Sequence, residues 1–290
     1  MSISDKFSSF CSKIRIPQNV VDNISYRYKR ITHQLNEDYW DTDSETSHSF
    51  YVGSYGRDTE IHTSDIDMIF RLPYEVYERI NQRTGNGQSA LLAEVRNSLQ
   101  KTYSTSHIKG DGQVIGIDFN DGINFEIVPA FVNKDESYTY PDSNDGGKWR
   151  ITNPKPEIEA IRKANTEYNG NLKNLCRMAR AWKEKWSVLM GGLLIDTLAY
   201  QFLRDWNHRT DSYTYYDWMT RDFFEFVKNQ DEDKIYWLAP GSGQYVWKKG
   251  DFHYKAKRAY NLSIEAIDYE ERDMPYSANG KWREIYGSKF

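Results

Sequence analysis

The 290-residue chain holds only two cysteines, Cys11 and Cys176. That number supplies no disulfide framework and suits a reducing compartment, so a cytoplasmic setting is expected. Six scattered histidines without a cysteine pair make a structural zinc site unexpected. Long apolar runs are also missing. No segment approaches the roughly 18 residues of a membrane helix, and the mean hydropathy is -0.81, so no membrane span is expected. The opening MSISDKFSSFCSKIRIP has no continuous apolar stretch, and secretion by a signal peptide is not expected. Excess positive charge is absent too. Lys plus Arg number 38 against 42 Asp plus Glu, a net charge of -4, which argues against a protein built mainly to coat nucleic acid. A local basic cleft remains compatible with that balance. Internal repeats and low-complexity tracts are lacking. What the chain does have is bulk. Apolar residues make up 39% and aromatic residues 15%, enough for a large core in one big domain or two joined lobes.

Apolar spacing predicts helix over residues 5–40, with Phe7, Phe10, Ile14, Val20, Val21 and Ile24 on the buried side and Pro17 splitting it. Residues 41–48 read as loop, 49–52 as a short strand ending at Gly53, and 66–72 as a buried strand. Helix is expected over 75–101 around a break at 85–88. Two strands, VIGIDF and INFEIVPAF, flank Asn120-Asp121-Gly122, a strong hairpin signal. Residues 133–153, with Pro141, Gly146 and Gly147, read as a long loop. The texture then changes: 156–168, 171–190, 192–206, 217–230 and 253–271 are predicted helices, with Asn153-Pro154 as the entry and almost no strand signal. GSGQ at 241–244 reads as a turn, and the aromatic tail GKWREIYGSKF is expected to dock on the body. The division is therefore an α/β lobe over 1–153 and a helical lobe over 154–290.

The decisive stretch is GSYGRDTEIHTSDIDMIF, Gly53 to Phe70. Gly53-Ser54 ends a strand, and ten residues separate Ser54 from Asp65. Strand residues two apart share a face, so Asp65 and Asp67 project two carboxylates side by side while Ile66 and Met68 face the core. Such neighbours repel, and one pKa rises unless a cation intervenes. Hard oxygen donors of this kind suit Mg²⁺ or Mn²⁺. The Gly-Ser pair offers a backbone that phosphates can approach and a hydroxyl that can donate to them. A lone Asp-x-Asp is more often a solvated strand end and a lone Gly-Ser a turn; their order and spacing between strands favour the chemical reading. Walker-type phosphate binding by GSGQ is rejected because the segment is too short. His62 lies beside the acids without a residue that marks it as a base.

With these motifs in place, the chain resembles the polymerase-β superfamily of nucleotidyltransferases. More closely it is similar to the cGAS/DncV-like branch, the bacterial CD-NTases of SMODS type, relatives of oligoadenylate synthase. GSYGRDT matches the family's GS-x-G-[RK]-x-T block through Gly56, Arg57 and Thr59. NFEIVPAF resembles the strand of the third carboxylate, placing Glu126 where Asp is commoner. YPDSNDGGKWRITNP resembles the loop before the helical lobe, LKNLCRMARAWKEKW the basic helix with Arg177 and Arg180, and KWREIYGSKF the closing motif. The similarity runs from about residue 20 to 290.

The resemblance implies an α+β fold, a polymerase-β-like lobe with a central mixed sheet plus a C-terminal helical lobe, and an active site in the cleft between them. It implies nucleotidyl transfer on two Mg²⁺ or Mn²⁺ ions held by Asp65, Asp67 and Glu126, with pyrophosphate leaving. Gly53, Ser54, Arg57, Arg177 and Arg180 are expected to bind phosphates, and Tyr200 or Tyr55 to stack a base. Asp118, on the partner strand of the hairpin, competes with Glu126 for the third ligand position. Asp196 matches an acidic position of the family, but a helix-bracing ion pair is its better reading. The implied activity joins ATP, GTP or other NTPs into a purine-containing cyclic dinucleotide, such as cyclic di-GMP or cyclic GMP-AMP. Its implied role is bacterial anti-phage (CBASS) signalling, the product activating a downstream effector. A cyclic trinucleotide product, transfer to a tRNA, protein or small-molecule acceptor, and a non-enzymatic nucleotide-binding module are the alternatives. Without a zinc-binding insertion, and with a pI of about 5.9, activation by double-stranded DNA is not expected. A monomer is expected.

Overall fold

The structure, a computed structural model, describes residues 1–62 and 65–290; Thr63 and Ser64 of the Gly-Ser/Asp-x-Asp stretch lie outside the described residues. The chain forms two compact units that interleave along the sequence. One comprises Ile16–Gly56 and His62–Lys155, the other Met1–Arg15, Arg57–Ile61 and Pro156–Phe290. The first is termed the sheet unit and the second the helical unit.

Pro17 separates α1 (Ile3–Lys13) from α2 (Gln18–Trp40) as the sequence predicts, and its fixed φ of -62° suits a helix entry. The sheet unit continues with β1 (Ser49–Tyr51), α3 (Gly53–Arg57), β2 (Ile66–Arg71), α4 (Tyr74–Asn81) and α5 (Gly87–Thr102). Asn86 caps α5 by accepting a hydrogen bond from the Ser89 amide. Then come β3 (His107–Asp111), β4 (Val114–Asp118), β5 (Asn124–Val132), β6 (Tyr138–Asp142) and β7 (Lys148–Thr152). Among the described residues these strands form one mixed sheet in the order β1-β2-β5-β4-β3, with β6 joined to the end of β5 and β7 to β6. Only β2 and β5 run parallel.

Alternation assigns the two faces. Ile66, Met68, Phe70, Ile115, Ile117, Phe125 and Ile127 are buried under the apolar sides of α2 and α5, against Ile24, Ile31, Leu35, Leu91, Val95 and Leu99. The opposite face carries Asp67 and Glu126 and a small apolar patch of Val52, Ile69, Ala130 and Tyr138. The predicted hairpin turn is present, with Gly122 at φ +79°, and Arg27 pins it through two hydrogen bonds to Asp121 of 2.9 and 2.8 Å.

The expected loop over 133–153 is instead the β6–β7 ribbon. Its one proline, Pro141, and its paired glycines, Gly146 and Gly147, are residues more common in loops than in strands. Pro141 pairs with Trp149, but β6 meets β5 only through Tyr138 and Thr139, so no ladder bond is lost at the missing donor. The glycines 146 and 147 (φ +87° and +94°) form the turn. β3, which carried no strand signal, is the other addition.

The helical unit contains α1, α6 (Pro154–Glu167), α7 (Asn171–Lys185), α8 (Gly192–Asp205), α9 (Tyr216–Lys228), α10 (His253–Glu271) and α11 (Pro275–Tyr286). A hairpin of β8 (Tyr236–Leu238) and β9 (Tyr245–Trp247) was not expected, though GSGQ is its turn. Helix α7 stops at Lys185 rather than 190. The aromatic tail docks within this unit: Phe290 lies 5.1 Å, centroid to centroid, from both Phe7 and Phe10. The linear division at 153/154 falls close to the Lys155/Pro156 boundary. The units nevertheless differ from that division, because α1 buries Phe7, Phe10 and Ile14 in the helical core. No helix among the described residues is long and apolar enough to cross a membrane.

Candidate active site

The acids and the Gly-Ser turn belong to the sheet unit. Asp67 sits at the second position of β2, directly beside Glu126 of the parallel strand β5. Neighbouring strands lie about 4.8 Å apart, so these carboxylates share one face at contact range. Asp65 stands exposed just ahead of β2. Burial first, and then the negative charge of Asp65, pushes the Glu126 carboxyl above its ordinary range, while Asp67 as hydrogen-bond partner opposes the shift. The three acids therefore act on one another electrostatically. Asp118 pairs in register with Asn124, two residues along the strand from Glu126, and its carboxylate meets His107 Nδ1 at 3.0 Å.

The turn after β1 is built against Asp67. The Val52 amide donates to the Asp67 carbonyl at 2.9 Å, and Gly53 follows at φ +62°. A Cβ on Gly53 would lie 1.8 Å from Asp67 Oδ2, so only glycine lets this backbone close on the carboxylate. Ser54 is next, in the first turn of α3.

Among the described residues, no group of three or more His, Cys, Asp or Glu side chains is arranged to hold a metal ion. The donor set nonetheless fits a hard divalent cation in chemistry. It consists of carboxylates alone, Asp67 and Glu126 lie side by side in register, and the negative charge of Asp65 reaches Glu126.

The expected phosphate-binding cations lie in the helical unit, and the structure gives them protein partners. Asp196, wholly buried on α8, accepts from Arg57 Nε at 2.8 Å and from Arg180 at 2.5 and 2.9 Å. The Thr59 hydroxyl donates to it at 2.9 Å. Although burial opposes it, the two guanidinium groups hold the Asp196 carboxyl far below the usual carboxylate range. The bracing role expected of Asp196 is thus present, and it occupies Arg57 and Arg180. Arg177 donates to the carbonyl and the carboxylate of Asp58, and Lys173 meets the same carboxylate at 2.9 Å. Asp58 takes a left-handed φ of +54° to reach them. Tyr200 packs half-buried against the helical core, and Tyr55 lies edge-on to Tyr51 at 4.8 Å in the sheet unit. Exposed His62 also belongs to the sheet unit.

Sequence reasoning passed over two charged residues. Asp58 lies inside the GRDT block but carries no signal of its own. Lys109 sits on β3, the strand that was not foreseen.

Comparison with known proteins adds an independent line. The family model for the Second Messenger Oligonucleotide or Dinucleotide Synthetase (SMODS) domain matches residues 1–165. A probable cyclic nucleotide synthase of Bacillus cereus (strain VD146) is 25% identical over 178 residues, covering 57% of this chain and 51% of the relative. The chain thus spans about half the length of that curated relative. In fold, it is similar to E. coli MS115-1 CdnC with ATP: TM-score 0.69, 15% identity, 99% of this chain and 98% of that one. It is equally similar to the Bradyrhizobium diazoefficiens CD-NTase CdnG in complex with GTP: TM-score 0.69, 10% identity, 98% and 95% coverage.

Proposed function

The chain belongs to the Second Messenger Oligonucleotide or Dinucleotide Synthetase family, and from that premise we propose that it is a nucleotidyltransferase joining NTPs into a cyclic dinucleotide. One observation carries the site assignment: Asp67 and Glu126 stand side by side on parallel strands, with Gly53 closed onto the Asp67 carboxylate. Asp65, Asp67 and Glu126 would hold two Mg²⁺ or Mn²⁺ ions, which supply charge neutralisation at the attacking and leaving oxygens. Gly53 presents backbone, and Ser54 a hydroxyl, to the donor's β/γ-phosphates. The strand pairing of β2 with β5 fixes the acids relative to that turn, which is the positioning that phosphoryl transfer needs. A 2′- or 3′-hydroxyl attacks the α-phosphorus, the bond to the bridging oxygen breaks, and pyrophosphate leaves.

Glu126 is favoured over Asp118 as the third ligand because Glu126 is Asp67's register neighbour, whereas Asp118 is displaced along the sheet and engaged with His107. Arg177 remains the better phosphate candidate of the two helix arginines, since its partner Asp58 is exposed while Arg180's is wholly buried. The named fold relatives were captured with ATP and GTP, which favours purine triphosphates as substrates here. A bacterial cytoplasmic setting, anti-phage signalling through a product-activated effector, and a monomeric chain complete the reading.

The test is incubation with all four labelled NTPs and Mg²⁺ or Mn²⁺, followed by mass spectrometry of the product. A cyclic dinucleotide is expected. Only linear or protein-attached label, or a product that needs added tRNA, protein or small-molecule acceptor, overturns the reading; a cyclic trinucleotide corrects the ring size. Asp65→Asn combined with Asp67→Asn should abolish turnover with the fold intact.

A further inference from the structure

The row of side chains across the sheet continues past the acids. Register places Asp67 beside Glu126, Glu126 beside Gly116, and Gly116 beside Lys109. All four positions fall on one face, because pairs in register point the same way. Gly116 contributes no side chain, and the Lys109 stem fills that gap: a Cβ on Gly116 would lie 3.7 Å from Lys109 Cε and 3.8 Å from its Cγ. Lys109 therefore lies across the glycine instead of standing away from the sheet. β3 and β5 are two strand spacings apart, roughly 10 Å, and a stem laid across half that span brings the ammonium toward the carboxylates.

The position has a direction. The Gly-Ser turn adjoins Asp67 at one end of the row, and Lys109 closes the other end beyond Glu126. If the turn takes the donor's polyphosphate, the cation at the far end meets whatever approaches on the Glu126 side. We propose that Lys109 is a substrate-positioning residue that binds a phosphate of the acceptor nucleotide, a nucleotide whose hydroxyl attacks. The inference rests on the nucleotidyltransferase reading above. It adds a requirement to that reading: the acceptor must carry phosphate. A compact ammonium on a flexible stem suits a phosphate that has to enter and leave.

A two-substrate assay separates the ends of the row. A 2′,3′-dideoxy-NTP acts only as donor, and an α,β-methylene NTP acts only as acceptor, so together they form one dead-end linear dinucleotide. Lys109→Ala should raise the KM for the acceptor-only analogue about tenfold, as expected for loss of one charge-assisted hydrogen bond, with the donor KM and kcat within about twofold. Lys109→Arg should restore most of the acceptor affinity. Gly116→Val, which crowds the Lys109 stem, should reproduce the Ala phenotype in a milder form. Equal rises in both KM values, or none, overturn the inference. Calorimetric binding of the acceptor-only analogue, without turnover, provides a second reading, and unchanged affinity in Lys109→Ala refutes the role. If the wild type joins no pair of analogues, the reaction assignment fails first, and the binding comparison still decides whether Lys109 holds nucleotide phosphate. Lys109 is exposed, so the Ala variant should melt with the wild type.

Discussion

Asp196→Asn is the most direct measure of what the buried cations do. The carboxylate is wholly buried and serves Arg57, Arg180 and Thr59 at once. Asparagine keeps the volume but removes the charge, and one of its two side-chain termini becomes a donor facing donors. Two guanidinium groups, 6% and 7% exposed, then lose the carboxylate they are hydrogen-bonded to. Breaking a buried ion pair in this way costs about 3–5 kcal/mol. For a unit of this size that corresponds to a fall in Tm of about 6–20 °C. Scanning calorimetry of the variant against the wild type measures it. The same sample, titrated with a non-hydrolysable NTP, should bind with nearly unchanged affinity after correction for the unfolded fraction. A Tm shift below about 2 °C, with a large loss of nucleotide affinity, would show that Arg57 and Arg180 serve phosphate and that the bracing argument is wrong.

Three further outcomes are expected. Gly53→Ala forces an alanine into a left-handed φ and drives a methyl into Asp67 Oδ2, so turnover should fall about a hundredfold, as for an ångström-scale misplacement of reacting groups, with folding retained by circular dichroism. Glu126→Gln should lose activity severely while Asp118→Asn keeps most of it; the reverse order would assign the third ligand to Asp118. Burial pushes Asp217 up to about 6. The folded chain then holds a proton that the unfolded chain releases, so stability is full below about pH 4 and declines toward pH 6, by at most ~3 kcal/mol. Asp217→Asn should remove that slope from urea-unfolding curves collected between pH 4 and 7.

Much of this architecture is legible in the sequence, and the failures share a cause. The helices α6 to α10 announce themselves because each must bury one apolar stripe, and periodicity records that need directly. The pair β4–β5 is equally plain: Gly122 provides the turn, and Ile115, Ile117, Phe125 and Ile127 alternate with polar residues. β6 and β7 were missed because their partners are supplied by tertiary contact. Tyr138 is buried, yet the strand also contains proline, and its neighbour β7 is half exposed. β3, with the sequence HIKGD, is largely exposed and owes its extended form to pairing with β4. The same asymmetry governs the site. Asp65, Asp67 and Gly53 fall within one short stretch and were readable; Glu126 came from the resemblance of its strand to the family's, with Asp118 left as a competitor. The engagement of Arg180 with Asp196 joins residues of two helices and of the 57–59 segment, and spacing along one helix says nothing about it. Lys109 was invisible for the further reason that its meaning depends on a missing side chain at Gly116.

The interleaving of the two units bears on how the chain can be cut. A fragment starting at residue 154 would contain α6 to α11 but neither α1 nor the Arg57–Ile61 segment. It would lack the rings of Phe7 and Phe10 that fill its interior and the guanidinium of Arg57 that answers Asp196. Each lost phenylalanine alone is worth about 3–5 kcal/mol, comparable with the entire margin of a typical domain. Helical repeats tolerate severing; a body threaded three times by its own chain does not, and excision at either end leaves an open core instead of a smaller protein.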